Sequence, residues 1–170
     1  MDLKALIRHV PDYPKPGILF YDITTLLRDP RGFRDTVDAL AAPYMGEDID
    51  VVVGIESRGF IVGAAVANAL GCGFVPVRKP GKLPAKANRE AYSLEYGENV
   101  LEMHEDAVEK GARVLIVDDV LATGGTAAAA ASLVRRSDGD LRGLAFLIEL
   151  LVLNGKSKLA GENVFSVLQY

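Results

Sequence analysis

The stretch that most constrains this fold is residues 114–126, VLIVDDVLATGGT. Its first four residues are apolar and predict a buried strand of a parallel sheet. Two adjacent carboxylates, Asp118 and Asp119, follow where that strand is expected to end. A turn of small residues comes next, and residues 127–136, which begin with five alanines, are predicted to form a helix. Strand, turn and helix in this order are typical of an α/β fold.

The turn between this strand and helix is predicted to bind an anion. The first N–H groups of a helix lack partners within it, and the helix dipole favours negative charge there. Gly124 and Gly125 let a phosphate approach the backbone, and Thr123 and Thr126 add hydroxyl donors. Adjacent carboxylates would repel a bare phosphate, so the pattern favours a sugar phosphate. Two alternatives are acids that only cap a helix and the acid pair of receiver or phosphatase domains, but neither needs the hydroxyl-rich turn.

The stretch resembles the phosphoribosyl-pyrophosphate loop of the phosphoribosyltransferases, in which two acids precede a Thr-Gly-Gly-Thr turn. Its sequence, DDVLATGGT, is most similar to that of the adenine phosphoribosyltransferases. The resemblance implies that Asp118 and Asp119 are catalytic and hold the ribose 2′- and 3′-hydroxyls. It also implies that the 5′-phosphate is bound by the turn residues Ala122, Thr123, Gly124, Gly125 and Thr126.

Composition narrows the class of protein. The 170 residues are predicted to form one domain, 1–170, that can bury enough surface to fold without disulfides. A net charge of −4 argues against nonspecific nucleic-acid binding. The one cysteine, Cys72, fits a reducing compartment, the N-terminus lacks a signal-peptide pattern, and Glu149 interrupts the longest apolar run. We therefore expect a cytoplasmic protein that does not bind membranes.

The N-terminal segment, residues 1–30, is predicted to begin with a short helix. Asp2 can cap it, and the apolar residues between Leu3 and Val10 would share one face. Residues 11–17, PDYPKPG, cannot be helical. By composition alone they could be only a tether to the apolar residues that follow.

The segment YPKPGILFYDIT nevertheless resembles the base-binding hood of the adenine phosphoribosyltransferases. On that resemblance, Leu19 and Tyr21 contact adenine through their backbones. Phe20 stacks on one face of the base and Val120 on the other. The family commonly has arginine where this chain has Tyr21, so only a backbone role is expected to carry over.

A second strand–turn–helix pattern surrounds the sequence Glu56-Ser57-Arg58-Gly59. Residues 49–55 predict a strand, and the residues from Phe60 onward predict a helix. Without a resemblance, Arg58 could be an ordinary surface charge. In the resembled family this loop binds pyrophosphate, which implies that role for Glu56, Ser57 and Arg58 and a catalytic role for Arg58. An arginine fork suits a bidentate phosphate.

A basic loop follows the short predicted strand at residues 74–77. It carries five cations before its first acid, namely Arg78, Lys79, Lys82, Lys86 and Arg89. Such a run is usually a solvated face, but its prolines and glycine indicate a loop that could cover an anionic ligand. The segment VRKPGKLP, residues 77–84, resembles the mobile loop of the same family. That resemblance implies that Arg78, Lys79 and Lys82 neutralise the leaving pyrophosphate.

A β-hairpin is predicted from residues 91–96 and 99–103 around Gly97 and Glu98. Read alone, Glu95 would be an exposed strand carboxylate. The segment YSLEYG resembles the one that carries the family's proposed proton acceptor or donor at the purine, which is Glu95 here. We expect residues 79–100 to act as a mobile catalytic loop that excludes water.

The remaining strands are predicted at residues 141–153 and 163–169. The resulting alternation predicts an α/β fold, a mostly parallel sheet flanked by helices, with ligand loops at its carboxyl edge. The resemblance extends from Asp12 to Tyr170. It implies the type I phosphoribosyltransferase fold with a small N-terminal hood.

The implied reaction is purine salvage: adenine and phosphoribosyl pyrophosphate give AMP and pyrophosphate. Mg²⁺ is expected as cofactor, held mainly by substrate oxygens with no direct protein site, and a homodimer is expected from the resemblance. Two alternatives remain. One is a transferase for hypoxanthine, guanine or xanthine, which the Tyr21 departure leaves open. The other is a non-catalytic sensor of phosphoribosyl pyrophosphate, for whose DNA-binding module the chain has no room.

Overall fold

Strands and helices alternate along most of the chain. The computed structural model describes residues 2–94 and 97–170, with Leu94 described by its backbone alone. In chain order the elements are β1 (Arg8–Val10), β2 (Phe20–Asp22), α1 (Thr24–Arg28), α2 (Pro30–Ala41), β3 (Val51–Ile55), α3 (Arg58–Leu70), β4 (Gly73–Val77), β5 (Ala87–Leu94), β6 (Gly97–His104), β7 (Arg113–Leu121), α4 (Gly125–Arg136), β8 (Asp140–Glu149) and β9 (Val164–Gln169).

The centre of the fold is a five-stranded sheet in the order β4-β3-β7-β8-β9, and each neighbouring pair is parallel. β7 lies in the middle, which explains why its first residues are a continuous apolar run. Leu115 and Val117 face α2 and α3, while Val114 and Ile116 face α4. The predicted α/β fold, with a parallel sheet flanked by helices, is confirmed.

The helices meet the sheet through residues that their sequences favour. Asp29 caps α2 by accepting the N–H groups of Arg31 and Gly32, and Pro30 occupies the first turn, where its missing N–H has no cost. The alanine run of α4 lies almost wholly buried, with Ala129 and Ala130 against the sheet. Small side chains let this helix approach the strands closely.

The prediction of an N-terminal helix is wrong. Lys4–Leu6 forms a single 3₁₀ turn, and β1 then pairs antiparallel with β2. Leu3 and Ile7 still become buried, in a cluster with residues of α1 and β8. The pairing with β2, distant in sequence, supplies hydrogen bonds and outweighs the weak tendency of a short segment to form a helix alone.

Two further boundaries differ from the sequence prediction. The strand predicted at residues 141–153 ends at Glu149, and Leu151–Leu153 forms a 3₁₀ turn instead. The hairpin is present, but Gly97 and Glu98 pair with Leu94 and Ser93 within it and are not its turn. The residues that join the two strands, 95 and 96, lie outside the described residues. Among the described helices, none is long and apolar enough to cross a membrane.

The strand register opens a site at the carboxyl edge of the sheet. The ladder between β3 and β7 ends at Gly54 and Val117, whereas β7 stays paired with β8 as far as Leu121. The acids Asp118 and Asp119 therefore lie within β7 and not after it, contrary to prediction. Within the described part of the chain, β3 is no longer paired with β7 at the level of these two acids.

Candidate active site

A cleft of about 530 Å³ lies at this carboxyl edge, where ligands of open α/β sheets bind. Five segments that are distant in sequence contribute to it: the hood, the Glu56 turn, Lys79 of the basic loop, the end of β7 with the turn after it, and the chain after β8. Its lining residues are Ile18, Leu19, Phe20, Tyr21, Glu56, Ser57, Arg58, Lys79, Asp118, Asp119, Val120, Leu121, Ala122, Thr123, Gly124, Thr126, Ala127, Leu150 and Leu153.

The acid pair forms the floor of this cleft. Asp118 and Asp119 are each less than a tenth exposed. Asp118 Oδ1 accepts the backbone N–H of Asp119 at 2.9 Å, and the N-terminal turn of α3 packs onto it so closely that a Cβ at Gly59 would lie 2.6 Å from that oxygen. Burial, together with the neighbouring charge of Asp119, raises the pKa of Asp118 well above its usual range. In the free site, the contacts of Asp118 therefore do not offset the cost of burying its negative charge.

Arg58 connects the acid pair to the hood. Its Nε–H donates to Asp119 Oδ2, and its guanidinium carbon lies 5.3 Å from the centroid of the Phe20 ring. Burial alone would lower the pKa of Arg58, but the carboxylates of Asp119, Asp118 and Asp22 together outweigh it and the pKa is raised. A guanidinium carries five N–H donors, and the side chain is 43% exposed. Arg58 can therefore serve Asp119 and an anion in the cleft together.

Glu56 lines the cleft, but its carboxylate is used to fix the start of the basic loop. It accepts the backbone N–H of Lys79 at 2.8 Å and Arg78 Nη2 at 3.1 Å. The Lys79 N–H, followed by Arg78, lowers the pKa of Glu56 despite some opposing burial. A carboxylate held this way acts on an anion indirectly, because it positions two basic residues.

The other cations of the basic loop are placed differently. Lys79 lines the cleft, whereas Arg78 and Lys82 are not among its lining residues. Arg78 lies over the Phe60 ring at 5.8 Å, and its Nη1 contacts the Lys82 carbonyl at 3.4 Å. Their predicted role at a pyrophosphate stays a prediction, as does the role of Glu95, which lies outside the described residues.

The turn before α4 joins the end of β7 to a helix N-terminus, the order of elements that the sequence predicts. Gly124 has φ +85° and stands at the N-terminus of α4, a conformation that favours glycine. The turn packs against Gly155 so closely that a Cβ at Gly124 would overlap the Gly155 carbonyl. Ala122, Thr123 and Thr126 share the cleft with it. Gly125 does not line this cleft and instead packs against the Tyr92 ring.

The hood contributes three of the four residues predicted to bind a base. Leu19, Phe20 and Tyr21 line the cleft, as does Val120 on β7. The Tyr21 ring packs against the Tyr170 ring at a tilt of 38°, with centroids 4.2 Å apart. Because its side chain is engaged in this way, the backbone is the part of Tyr21 best suited to read a base.

Sequence reasoning missed Leu150 and Leu153, which also line the cleft. The sequence predicts them inside a buried strand. In the structure β8 ends at Glu149, and the chain that follows, with its 3₁₀ turn, places them in the lining of the cleft instead. The charge of Glu149 and the Asn154-Gly155 pair, which bracket these leucines, were the signals that the strand ends early.

The donor set of the cleft suits a hard cation only in part. Among the described residues, no group of three or more His, Cys, Asp or Glu side chains could hold a metal by itself. Asp118 and Asp119 offer carboxylate oxygens in the cleft. Mg²⁺ is commonly bound by one or two carboxylates together with substrate phosphates. This pair fits a magnesium ion that reaches the site with a phosphorylated substrate.

A parallel sheet with an acid pair and a glycine phosphate turn at its carboxyl edge is the arrangement of a phosphoribosyltransferase. The family model described as "Phosphoribosyl transferase domain" matches residues 24–162. An adenine phosphoribosyltransferase of Solibacter usitatus is 62% identical over 99% of this chain and 98% of its own length.

Solved structures agree with the sequence comparison. An adenine phosphoribosyltransferase from Rhodothermus marinus superposes with a TM-score of 0.95 at 54% identity, covering 99% of this chain and 96% of its own. The Saccharomyces cerevisiae enzyme, complexed with an imino-altritol bisphosphate and adenine, has a TM-score of 0.94 at 42% identity, with 98% and 97% covered. The chain therefore belongs to the adenine phosphoribosyltransferase family, has its type I fold and is a transferase.

Proposed function

We propose that the chain transfers the 5-phosphoribosyl group of phosphoribosyl pyrophosphate to adenine, giving AMP and pyrophosphate. A bond forms between a ring nitrogen of adenine and the anomeric carbon, the bond from that carbon to the diphosphate oxygen breaks, and the nitrogen loses its proton. The observation that carries this proposal is that the acid pair, the phosphate turn and the hood open on one cleft. Family membership supports the choice of adenine.

Asp118 and Asp119 are proposed to hold the ribose hydroxyls and to stabilise positive charge on the sugar. Substitution at an anomeric carbon develops cationic character, and fixed carboxylates in a water-poor site stabilise it. The raised pKa of Asp118 fits this role, because sugar hydroxyls and a developing cation supply the compensation that the free site lacks. Arg58 keeps Asp119 oriented meanwhile.

The two phosphate groups are assigned to different turns. The 5′-phosphate would be bound by residues 122–126 at the N-terminus of α4. The diphosphate would be bound by Ser57, Arg58 and Lys79, with Arg78 and Lys82 nearby. Glu56 would anchor Lys79 and Arg78. A magnesium ion would be held mainly by substrate oxygens and would add positive charge beside the leaving diphosphate.

Adenine is proposed to lie between the hood and β7. Leu19 and Tyr21 would contact it through their backbones, and Phe20 and Val120 through their side chains. Leu150 and Leu153 add apolar surface to the cleft. Glu95 is retained as the proton acceptor or donor, on the resemblance of its segment.

The segment boundaries, location and assembly also belong to this proposal. Residues 1–170 would act as one domain, with residues 1–30 as the hood and residues 79–100 as a mobile loop that closes over the donor. A cytoplasmic location is supported by the single cysteine, and a homodimer by the resemblance alone. If the loop closes, amides of residues 79–100 become protected from hydrogen exchange when donor and Mg²⁺ are added together; unchanged exchange would refute closure.

The experiment that tests the activity compares four bases. The protein is incubated with phosphoribosyl pyrophosphate, Mg²⁺ and adenine, hypoxanthine, guanine or xanthine, and pyrophosphate and nucleotide are measured. Adenine is expected to give AMP and stoichiometric pyrophosphate, with at most traces from the other bases. A preference for another base would replace adenine as the substrate, an outcome that Tyr21 makes worth testing. Donor binding without turnover of any base would favour the sensor.

A further inference from the structure

Tyr92, on the first strand of the hairpin, reaches into the turn that is assigned to the 5′-phosphate. Its hydroxyl lies 3.1 Å from Thr126 Oγ1. Its ring packs on Gly125, where an added Cβ would lie 3.1 Å from the Tyr92 Cδ2 atom. Neither the sequence motifs nor the proposed reaction assigns a role to this side chain.

The same strand is fixed to α4 at a second point. Arg136, in the last turn of the helix, donates to the Arg89 carbonyl at 2.6 Å and to Glu90 Oε2 at 3.0 Å. β5 is therefore attached near both ends of α4, and Tyr92 makes the attachment at the phosphate end. The contact between the Tyr92 and Thr126 hydroxyls therefore couples the turn before α4 to the hairpin.

The chemistry of two hydroxyl groups makes the contact reversible. Each has one proton and can also accept. Either hydroxyl can be the donor across this 3.1 Å contact. While Thr126 donates to Tyr92, its proton is unavailable to an anion. A phosphate in the turn has only acceptor oxygens, and Thr126 must then turn its proton to the phosphate. Tyr92 can donate to Thr126 in return, and neither oxygen needs to move.

We propose that Tyr92 is a positioning residue for the 5′-phosphate, acting through Thr126. The chain Tyr92 O–H to Thr126 O–H to phosphate holds the Thr126 hydroxyl in the donating orientation, and hydrogen bonds in such a chain strengthen one another. By linkage, a phosphate that is bound more tightly because of Tyr92 also holds the hairpin more firmly on α4. This inference rests on the proposed function, since it takes the turn to be the phosphate site.

The test is the variant Tyr92→Phe, which removes the hydroxyl and keeps the ring on Gly125. The matched control is Tyr44→Phe, because Tyr44 is buried between α2 and the sheet and its hydroxyl has no hydrogen-bond partner among the described residues. We expect Tyr92→Phe to weaken binding of ribose 5-phosphate, measured by calorimetric titration, by about 3- to 10-fold, the range of one hydrogen bond. The KM for phosphoribosyl pyrophosphate rises similarly, while the KM for adenine stays unchanged. Tyr44→Phe leaves all three values at the wild-type level.

A double-mutant cycle with Thr126→Val shows whether Tyr92 acts through Thr126. In the Thr126→Val background, Tyr92→Phe is expected to have almost no further effect on ribose 5-phosphate binding. Additive effects of the two substitutions would overturn the proposal. So would a Tyr92→Phe variant that melts earlier but binds ribose 5-phosphate as the wild type does. Because this readout needs no turnover, it is separate from the base assay: absence of AMP synthesis by the wild-type protein would refute the proposed function alone.

Discussion

Replacing Asp119 by asparagine removes the charge that we assign to stabilising the sugar cation while keeping the size of the side chain. Asp119 is 6% exposed, and its Oδ2 atom accepts Arg58 Nε–H. An asparagine offers one acceptor oxygen and a nitrogen that can only donate. The variant therefore loses the negative charge beneath the sugar and the ion pair with Arg58, although its one acceptor oxygen can still accept the Arg58 Nε–H.

The expected loss separates catalysis from stability. Loss of one preorganised electrostatic contact costs about 10²- to 10³-fold in rate, or about 2.7–4 kcal/mol. The folded state loses much less, because the Arg58 side chain is 43% exposed and water can solvate it once the pair is broken. Ion pairs with such exposure contribute at most about 1 kcal/mol to the free energy of unfolding. We expect kcat/KM to fall at least ~100-fold in a variant that still folds.

Steady-state kinetics with adenine and phosphoribosyl pyrophosphate measure this loss, and thermal unfolding monitors the fold. Asp50→Asn is the matched control, because Asp50 also accepts arginine N–H groups, from Arg113, but precedes β3 at the opposite end of the sheet. This control is expected to keep wild-type kinetics. An Asp119→Asn variant with kcat/KM near that of the wild type would show that the acid pair is not at the reacting sugar.

Three further predictions concern other parts of the site. Asp118→Asn is expected to stabilise the free protein by about 0.5–2 kcal/mol at neutral pH in urea unfolding. Because folding raises the pKa of Asp118, the stability gain of the variant is complete above that raised pKa and disappears as the pH falls from it toward the pKa of the unfolded chain. Equal stability of the two proteins at neutral pH would contradict this prediction. Gly124→Ala is expected to lower stability by about 1–3 kcal/mol and to raise the KM for phosphoribosyl pyrophosphate, because the added Cβ would overlap Gly155. Gly161 is the control: it has the same φ of +85° but no atom within 4 Å of an added Cβ, so Gly161→Ala is expected to keep that KM. Equal KM values for the two variants would refute the steric argument. Glu95→Gln is expected to lower kcat and leave the KM for phosphoribosyl pyrophosphate nearly unchanged in steady-state assays, and an equal loss of donor binding would make Glu95 structural.

The sequence was sufficient for the parts of the site that depend on local chemistry. An apolar run, two acids and a glycine turn specify a strand, a floor of carboxylates and a helix N-terminus without reference to distant residues, and the structure has them in that order. The turn around Glu56 was equally clear in position. Its carboxylate, however, binds Arg78 and the Lys79 backbone, a contact with the next strand–loop unit that spacing along the chain does not reveal.

The parts that could not be predicted depend on pairing across distance. Residues near Arg8 have a helical apolar pattern, but β2 provides a strand partner, so they form the antiparallel pair β1–β2 instead. Leu150 and Leu153 belong to an apolar run that reads as one strand, yet the sheet ladder stops at Glu149 and frees them for the cleft. Tyr92 is a strand residue whose importance lies in its contact with α4. In each case the deciding interaction joins segments that no local motif connects.

The acid pair and the glycine turn are proposed to bind one ribose 5-phosphate together, with its base under the hood. A crystal structure of the protein with AMP would show whether they do. We expect the phosphate within residues 122–126, ribose hydroxyls on Asp118 and Asp119, and adenine between Phe20 and Val120. Nucleotide bound elsewhere, with the turn at residues 122–126 empty, would contradict it.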